Sequence, residues 1–304
     1  MIYTITLNPS IDYVVQLDHL QLGEVNRMKN DNKFPGGKGI NVSRILSRLG
    51  IQNTALGFLG GFTGEFIRQQ LEKENIVTRF TPIKDDTRIN IKLKAEEETE
   101  INGAGPIITL EEQQQLKHLL NHINENDVVV LAGSLPASLP EGFYEELIQQ
   151  ICQKKARFVI DTTGDALMDA LPYHPFLVKP NHHELAELFE TSFHSMEDIF
   201  PYARQLLTLG AQHVLISMAG DGALYVDKEH LYFAEPLQAP LQNSVGAGDS
   251  MIAGFVGAMV QTHDPLKAFQ MGVACGSATA FSKDLATADF INDCLNNVNI
   301  TQIQ

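Results

Sequence analysis

The sequence predicts an α/β protein: a doubly wound, mostly parallel sheet flanked by helices and carrying a small β-sheet lid. From about residue 106 onward, short apolar runs alternate with runs of helical spacing, the βαβα order that builds a parallel sheet covered on both faces. Polar residues follow directly on those apolar runs, where an open α/β sheet binds its ligands. The first third instead holds segments in which apolar and polar residues alternate, as in half-buried strands.

Residues 2–7 read as the first strand, and residues 11–17 as another alternating strand rather than a helix. A helical run follows over 42–49. Residues 88–95 place Ile89, Ile91 and Leu93 on one face and Arg88, Asn90, Lys92 and Lys94 on the other. The acids Glu96, Glu97 and Glu98 make a solvated turn before a strand over 99–103. With part of 27–33, these strands form the lid, so residues 1–10, 34–80 and 104–304 are expected to be core and residues 11–33 and 81–103 lid. A sheet with one apolar face must cover it, on the core or on a second copy of itself. Buried parallel strands are expected over 128–132, 158–160, 176–178 and 214–216, with helices over 110–124, 141–152 and 197–209. Residues 251–260 form an apolar helix, and 292–304 a surface helix and tail.

The 304 residues are 44% hydrophobic and 19% charged, ample for a buried core. The net charge of −15 speaks against nucleic acid as a partner, because backbone binding needs a basic face. Anionic substrates would need cations placed locally against the repelling field. The longest apolar run is too short to cross a bilayer, and residues 1–7 do not read as a signal peptide. Cys152, Cys275 and Cys294 are far apart with no CxxC, which fits a reducing cytoplasm better than a disulfide framework or a zinc site.

Three motifs carry chemistry. Ser244-Val245-Gly246-Ala247-Gly248-Asp249-Ser250 opens the apolar helix. Glycines before a helix let backbone N–H groups approach a ligand, and an acid there can accept a hydroxyl proton. The same acid also suits a plain helix cap, and the string alone fits both readings equally. Lys179-Pro180-Asn181-His182-His183-Glu184 spaces Asn181 and Glu184 as a capping box, the favoured reading of the spacing, with an outer-shell Mg²⁺ site as the functional alternative. Pro35-Gly36-Gly37-Lys38-Gly39-Ile40-Asn41 sets a cation among glycines before a helix, yet it is no Walker A loop. No GxGxxG follows the first strand, which counts against a dinucleotide fold. His182 and His183 read as solvated helix-start residues.

In this order the motifs resemble the ribokinase-like carbohydrate kinases, from Thr6-Leu7-Asn8-Pro9-Ser10-Ile11-Asp12 through residues 272–279. Gly23-Glu24-Val25-Asn26-Arg27, the lysine of the glycine loop and Thr87-Arg88-Ile89-Asn90-Ile91-Lys92-Leu93 are most similar to the phosphosugar branch, and within it to bacterial kinases of fructose 1-phosphate. The resemblance implies a ribokinase-like fold and ATP-dependent phosphorylation of fructose 1-phosphate at C6. Asp249 would be the base, and Gly246, Ala247 and Gly248 the anion hole. Asn181 and Glu184 would organise Mg²⁺ through water. Lys179, Ser217 and Gly222 would border the nucleotide, with Val273 and Gly276 flanking adenine. Asp12, Gly37 and Asn41 would hold sugar hydroxyls, with Asn90 beside them. Lys38, Arg88 and Arg27 would hold the existing phosphate.

Ala219 stands where many relatives have glycine, and Asn243 where ribokinase has an Asp-Thr pair, which speaks against a ribokinase-type monovalent-cation site. Tagatose 6-phosphate and fructose 6-phosphate are rival substrates, and a non-catalytic sugar-phosphate sensor is a rival of another class. A homodimer is expected through the lid strands 11–17 and 88–103, because relatives pair lid to lid.

Overall fold

The run Val128–Ala132 is apolar throughout because both faces of its strand are covered. Val128, Val130 and Ala132 pack into a cluster with Val42, Ile45, Phe255 and Phe269, while Val129 and Leu131 pack into another with Leu116, Phe143, Leu147 and Ile151. The computed structural model describes residues 1–303 and builds the fold on this two-sided burial.

The chain begins β1 (Ile2–Thr6), β2 (Ser10–Gln16), β3 (Asn30–Gly36), α1 (Lys38–Arg48), β4 (Asn53–Gly60) and α2 (Gly61–Lys73). It continues through β5 (Val77–Thr78), β6 (Thr81–Ile83), β7 (Arg88–Lys94), β8 (Glu98–Asn102), α3 (Leu110–Leu119), β9 (Val128–Ala132) and α4 (Phe143–Gln153). Then come β10 (Arg157–Asp161), α5 (Asp165–Ala170), β11 (Leu177–Val178), α6 (His182–Leu188), α7 (Phe200–Leu209) and β12 (His213–Ser217). The last elements are β13 (Ala223–Val226), β14 (Leu231–Ala234), α8 (Ala247–Thr262), α9 (Pro265–Ala280), α10 (Ala288–Leu295) and β15 (Ile300–Gln302).

The main sheet has the order β15-β14-β13-β12-β11-β10-β9-β1-β4-β5, with β6 also on β4. Pairing is parallel from β5 to β12 and antiparallel from β12 to β15. The doubly wound, mostly parallel core is therefore as expected. The stretch 292–304 differs from the expected surface helix and tail. After α10 the chain turns back, and Ile300–Gln302 pairs with the free edge of β14. That edge exists only once the sheet is assembled, so no local signal marks the strand.

A separate four-stranded sheet has the order β3-β2-β7-β8. β2 and β7 are parallel, with Asp12 opposite Asn90 and Tyr13 opposite Ile91. Its bounds shift from those expected: the first insertion keeps its pairing to Gly36, and Thr81–Ile83 pairs with the core strand β4. Ile11 packs with Ile67 and Leu71 of α2, but Ile89 is 39% and Ile101 52% exposed. Only part of the apolar face is covered within one chain.

Helix α8 is buried along most of its length because α1 and α9 flank it, and its Phe255 packs with Val130 and Tyr225 of the sheet. A Cβ on Gly254 would stand 2.6 Å from the Met271 carbonyl oxygen and 2.8 Å from Cys275 Sγ, so glycine lets the two helices approach backbone to backbone. This seat fixes where the N-terminus of α8 meets the strand ends.

Candidate active site

A cavity of about 890 Å³ opens along the carboxyl ends of β1, β9, β10, β11 and β12, beneath the lid and against the start of α8. Every site residue expected from the sequence lines it except Arg27. Arg27 is exposed on the loop between β2 and β3, which carries it away from the cavity of its own chain. His182 and His183 begin α6 as expected, His182 half-buried and His183 exposed, and both also border the cavity. Their ring centroids lie 3.9 Å apart with the planes tilted by 39°, and His182 Nδ1 lies 3.4 Å from the Ser217 carbonyl oxygen.

Gly246 caps α8 in the left-handed region, at φ 79°, and a Cβ there would lie 2.6 Å from Leu285 Cδ2. Conformation and space both demand glycine. In this turn Ala247 N donates to the Ser244 carbonyl at 3.3 Å, and Asp249 is buried in the first helical turn. Asn41 Nδ2 donates to Asp249 Oδ2 at 2.8 Å, which fixes the carboxylate's orientation. Burial, with the neighbouring Asp161 charge behind it, pushes the Asp249 carboxyl up to about 6, against the opposing pull of Lys38, Asn41 and Lys179. Such a group still ionises near neutral pH yet holds a proton better than a free carboxylate, as a general base requires. Gly246 is the N-cap of α8, and the Asp249 side chain is bonded by Asn41 rather than by the helix's own N–H groups.

Asp161 ends β10 and is almost wholly buried. Lys38 Nζ donates to its Oδ2 at 2.8 Å, and Lys179 Nζ lies 3.9 Å from its Oδ1. The Lys38 ammonium thus stands close enough to Asp249 for each charge to act on the other. Burial opposes its charge, but Asp161 and Asp249 outweigh burial and hold it protonated.

The other cation, Arg88, belongs to the lid. Its Nη1 donates to the Gly103 carbonyl and its Nη2 to the Asn8 carbonyl, each at 3.1 Å, while Nε is buried without a partner. Burial pulls the guanidinium below the usual arginine range, and only Asp12 opposes this. A half-buried cation with no carboxylate bonded to it can donate a charge-assisted bond to an anionic ligand. Ser10 Oγ and Asn90 Nδ2 donate to Asp12 Oδ1 at 2.8 and 3.2 Å, beside it. A Cβ on Gly36 would collide with Asp12 Cγ at 2.5 Å, which explains one glycine of the glycine-lysine loop.

Thr6 Oγ1 and Asn8 Oδ1 are buried, lack a partner and line the cavity. Together with Asp161 they are site residues that motif reading assigned no role. Their signal was position alone, directly at or after a strand's carboxyl end.

Asn181 and Glu184 form the capping box: Asn181 N donates to Glu184 Oε2 at 2.8 Å and Glu184 N to Asn181 Oδ1 at 2.9 Å. Both also face the cavity, so the cap does not exclude an outer-shell role. Glu184 Oε1 stays available to a hydrated cation, and one carboxylate suits Mg²⁺ that arrives with phosphate ligands. Among the described residues, no group of three or more His, Cys, Asp or Glu could hold a metal. Val273, Gly276, Leu237 and Phe281 make an apolar end beyond the polar centre. Ala219 adopts φ 50°, the strained region where glycine is at ease.

A buried acid raised toward neutrality, paired ammonium groups and a glycine turn at a helix N-terminus meet at one point, an arrangement that suits phosphoryl transfer to an alcohol. Residues 5–290 match the pfkB family carbohydrate kinase profile, and the chain belongs to that family. It is 50% identical to a 1-phosphofructokinase of Bacillus subtilis, with the whole of both chains covered. It is 38% identical to a D-tagatose-1-phosphate kinase of Bacillus licheniformis, again covering both chains in full. The structure of phosphofructokinase-2 from Escherichia coli in complex with fructose-6-phosphate superposes with a TM-score of 0.91, at 30% identity and with 97% of this chain and 98% of that one covered.

Proposed function

We propose that this protein transfers the γ-phosphoryl group of ATP to the C6 hydroxyl of fructose 1-phosphate, giving fructose 1,6-bisphosphate and ADP. The observation that carries the reading is the pairing, in one cavity, of the buried base Asp249 with the carboxylate-free cation Arg88. A kinase that adds a second phosphate needs both ends: a cation for the phosphate already present and a base for the free hydroxyl. Likeness to the Bacillus subtilis 1-phosphofructokinase over its full length supports the substrate.

In this reading Arg88 holds the 1-phosphate, and Asp12, Asn41 and Asn90 with the unpartnered Thr6 and Asn8 oxygens hold sugar hydroxyls. Asp249 accepts the C6 proton as that oxygen attacks the γ-phosphorus in line. The N–H groups of Gly246, Ala247 and Gly248 take up charge on the transferring oxygens, and Lys179, Ser217 and Gly222 border the nucleotide. Mg²⁺ bound with ATP would neutralise phosphate charge, with Asn181 and Glu184 holding its waters. The adenine would rest between Val273 and Gly276.

Lid pairing belongs to the same proposal. The exposed Ile89 and Ile101 would be covered by a second lid in a homodimer, and the division into core (1–10, 34–80, 104–304) and lid (11–33, 81–103) is kept as the working one, with 34–36 moved to the lid and 81–83 to the core as their strand pairing requires. Arg27 does not line the cavity of its own chain, so in this reading it would reach a phosphate only from its exposed loop across the lid pair. Free Cys152, Cys275 and Cys294 fit a cytoplasmic protein, and among the described residues no helix is long and apolar enough to cross a membrane.

The test is ADP release with ATP, Mg²⁺ and a panel of fructose 1-phosphate, tagatose 1-phosphate, tagatose 6-phosphate and fructose 6-phosphate. Fructose 1-phosphate should show a kcat/KM at least about tenfold above each 6-phosphate, roughly 1.4 kcal/mol of transition-state binding. Tagatose 1-phosphate is the second reading, favoured by the 38% identical relative. A 6-phosphate in first place overturns the substrate, and no ADP release with any sugar overturns the kinase reading in favour of a sensor.

A further inference from the structure

We propose that Asp161 is a positioning residue for phosphoryl transfer: it holds the ammonium groups of Lys38 and Lys179 on separate oxygens beside the glycine turn and keeps Lys38 off the base. The inference rests on the kinase reading and on Asp249 as base.

The geometry begins with burial. Asp161 is 4% exposed, and a carboxylate there persists as an anion only if cations repay its lost hydration. Burial pushes its carboxyl up, but Lys179 and Lys38 outweigh burial and leave it lowered. Each lysine approaches a different oxygen, Lys38 at Oδ2 and Lys179 at Oδ1. The carboxylate thus acts as a spacer between two like charges that would repel if left alone.

Lys179 is then aimed by that contact. A Cβ built on Gly248 would lie 2.9 Å from Lys179 Nζ, so the ammonium rests directly against the anion-hole turn. Lys38 arrives from α1, one turn before Asn41, which itself grips Asp249. The groups acting on Asp249 are therefore Lys38 and Asn41 from α1, Asp161 from β10 and Lys179 after β11, with Glu184 of α6 acting on Lys38. Without Asp161, the carboxylate acting most strongly on Lys38 is Asp249. An ion pair there would hold the base ionised and poorly basic, and would draw the ammonium away from the transferring group. This departs from the role that resemblance gave Lys38, as a ligand of the phosphate already on the sugar.

The experiment is the pH profile of kcat/KM for fructose 1-phosphate in wild type, Asp161→Asn and Lys38→Gln, with melting temperature as the folding control. The substrate's own titration is common to all three. Asp161→Asn should lower kcat/KM about 100-fold, the scale of a misplaced catalytic group. Its acid limb should move to lower pH, because an anion that raised the base is gone and a cation has moved closer. Lys38→Gln should move the acid limb to higher pH, because a cation that lowered the base is gone. Opposite shifts are not produced by loosened packing. Both limbs unmoved, or both moved the same way, overturns the proposal, as does Asp161→Asn with more than a third of wild-type kcat/KM. Should Asp161→Asn not fold, Lys38→Gln decides, and a limb that stays or falls refutes the inference. Asp249→Asn separates the two levels: if it keeps turnover, the base assignment fails, whereas an inactive Asp249→Asn with unmoved limbs in the other variants sinks only the role of Asp161.

Discussion

Replacing Asp249 by Asn should make the protein slower and more stable at once. The carboxyl rises from 3.8 to about 6 in the folded chain, so the folded state binds the proton more tightly than the unfolded state. Stability contributed by this group is therefore full below pH 4 and is lost as pH rises toward 6. Above that, the native protein carries a buried anion at a cost of about 1–3 kcal/mol, the upper figure being the full shift at 1.36 kcal/mol per unit. Asparagine resembles the protonated acid in shape and charge, and its oxygen can still accept from Asn41. At pH 7.5 Asp249→Asn should thus recover that cost and raise Tm by about 2–5 °C, a chain of this size giving up to 2 °C per kcal/mol. Losing the base should lower kcat by about 10²–10⁴, or roughly 3–5 kcal/mol of barrier. Calorimetry and coupled ADP release on the same preparation measure both. A variant with more than a tenth of wild-type kcat, or one melting several degrees lower at pH 7.5, would refute the reasoning.

Arg88→Ala should raise KM for fructose 1-phosphate at least about tenfold, a charge-assisted contact contributing roughly 1.5–3 kcal/mol, and leave KM for ATP nearly unchanged; equal rises in both would count against it. Arginine at Ile91 or Leu93 should weaken a lid-to-lid dimer in sedimentation velocity, and a wild-type monomer with full activity at micromolar concentration would sink the dimer. His213 sits against Tyr225 Oη at 2.7 Å, and burial lowers its imidazole to about 4. The unfolded chain therefore takes up the proton first, and stability present above pH 6.5 is lost as pH falls toward 4, by up to about 3 kcal/mol. In thermal melts between pH 7 and 5, wild type should lose more stability than His213→Gln, and parallel losses would remove His213 as the cause.

The sequence by itself determined the alternation of buried strands and helices, because a strand covered on both faces must be apolar throughout, as Val128–Ala132 is. It also determined the glycine-framed motifs around Asp249 and Lys38, because glycines packed before a helix leave few readings of the chain there. What it could not supply was partnership between distant residues. Asp249 and Asn41 lie on α8 and α1, and nothing local in either segment tells that one grips the other. Asp161 read as an ordinary residue after a strand until Lys38 and Lys179 arrived from two other elements. The same holds for Ile300–Gln302, whose backbone pairs only with an edge made by β14, and for Arg27, whose loop leads away from the cavity. Periodicity and turn chemistry are local and survive in a string of letters. Which charges share a buried space, and hence which acid is held near neutrality and which is held ionised, depends on distances that only the folded chain creates.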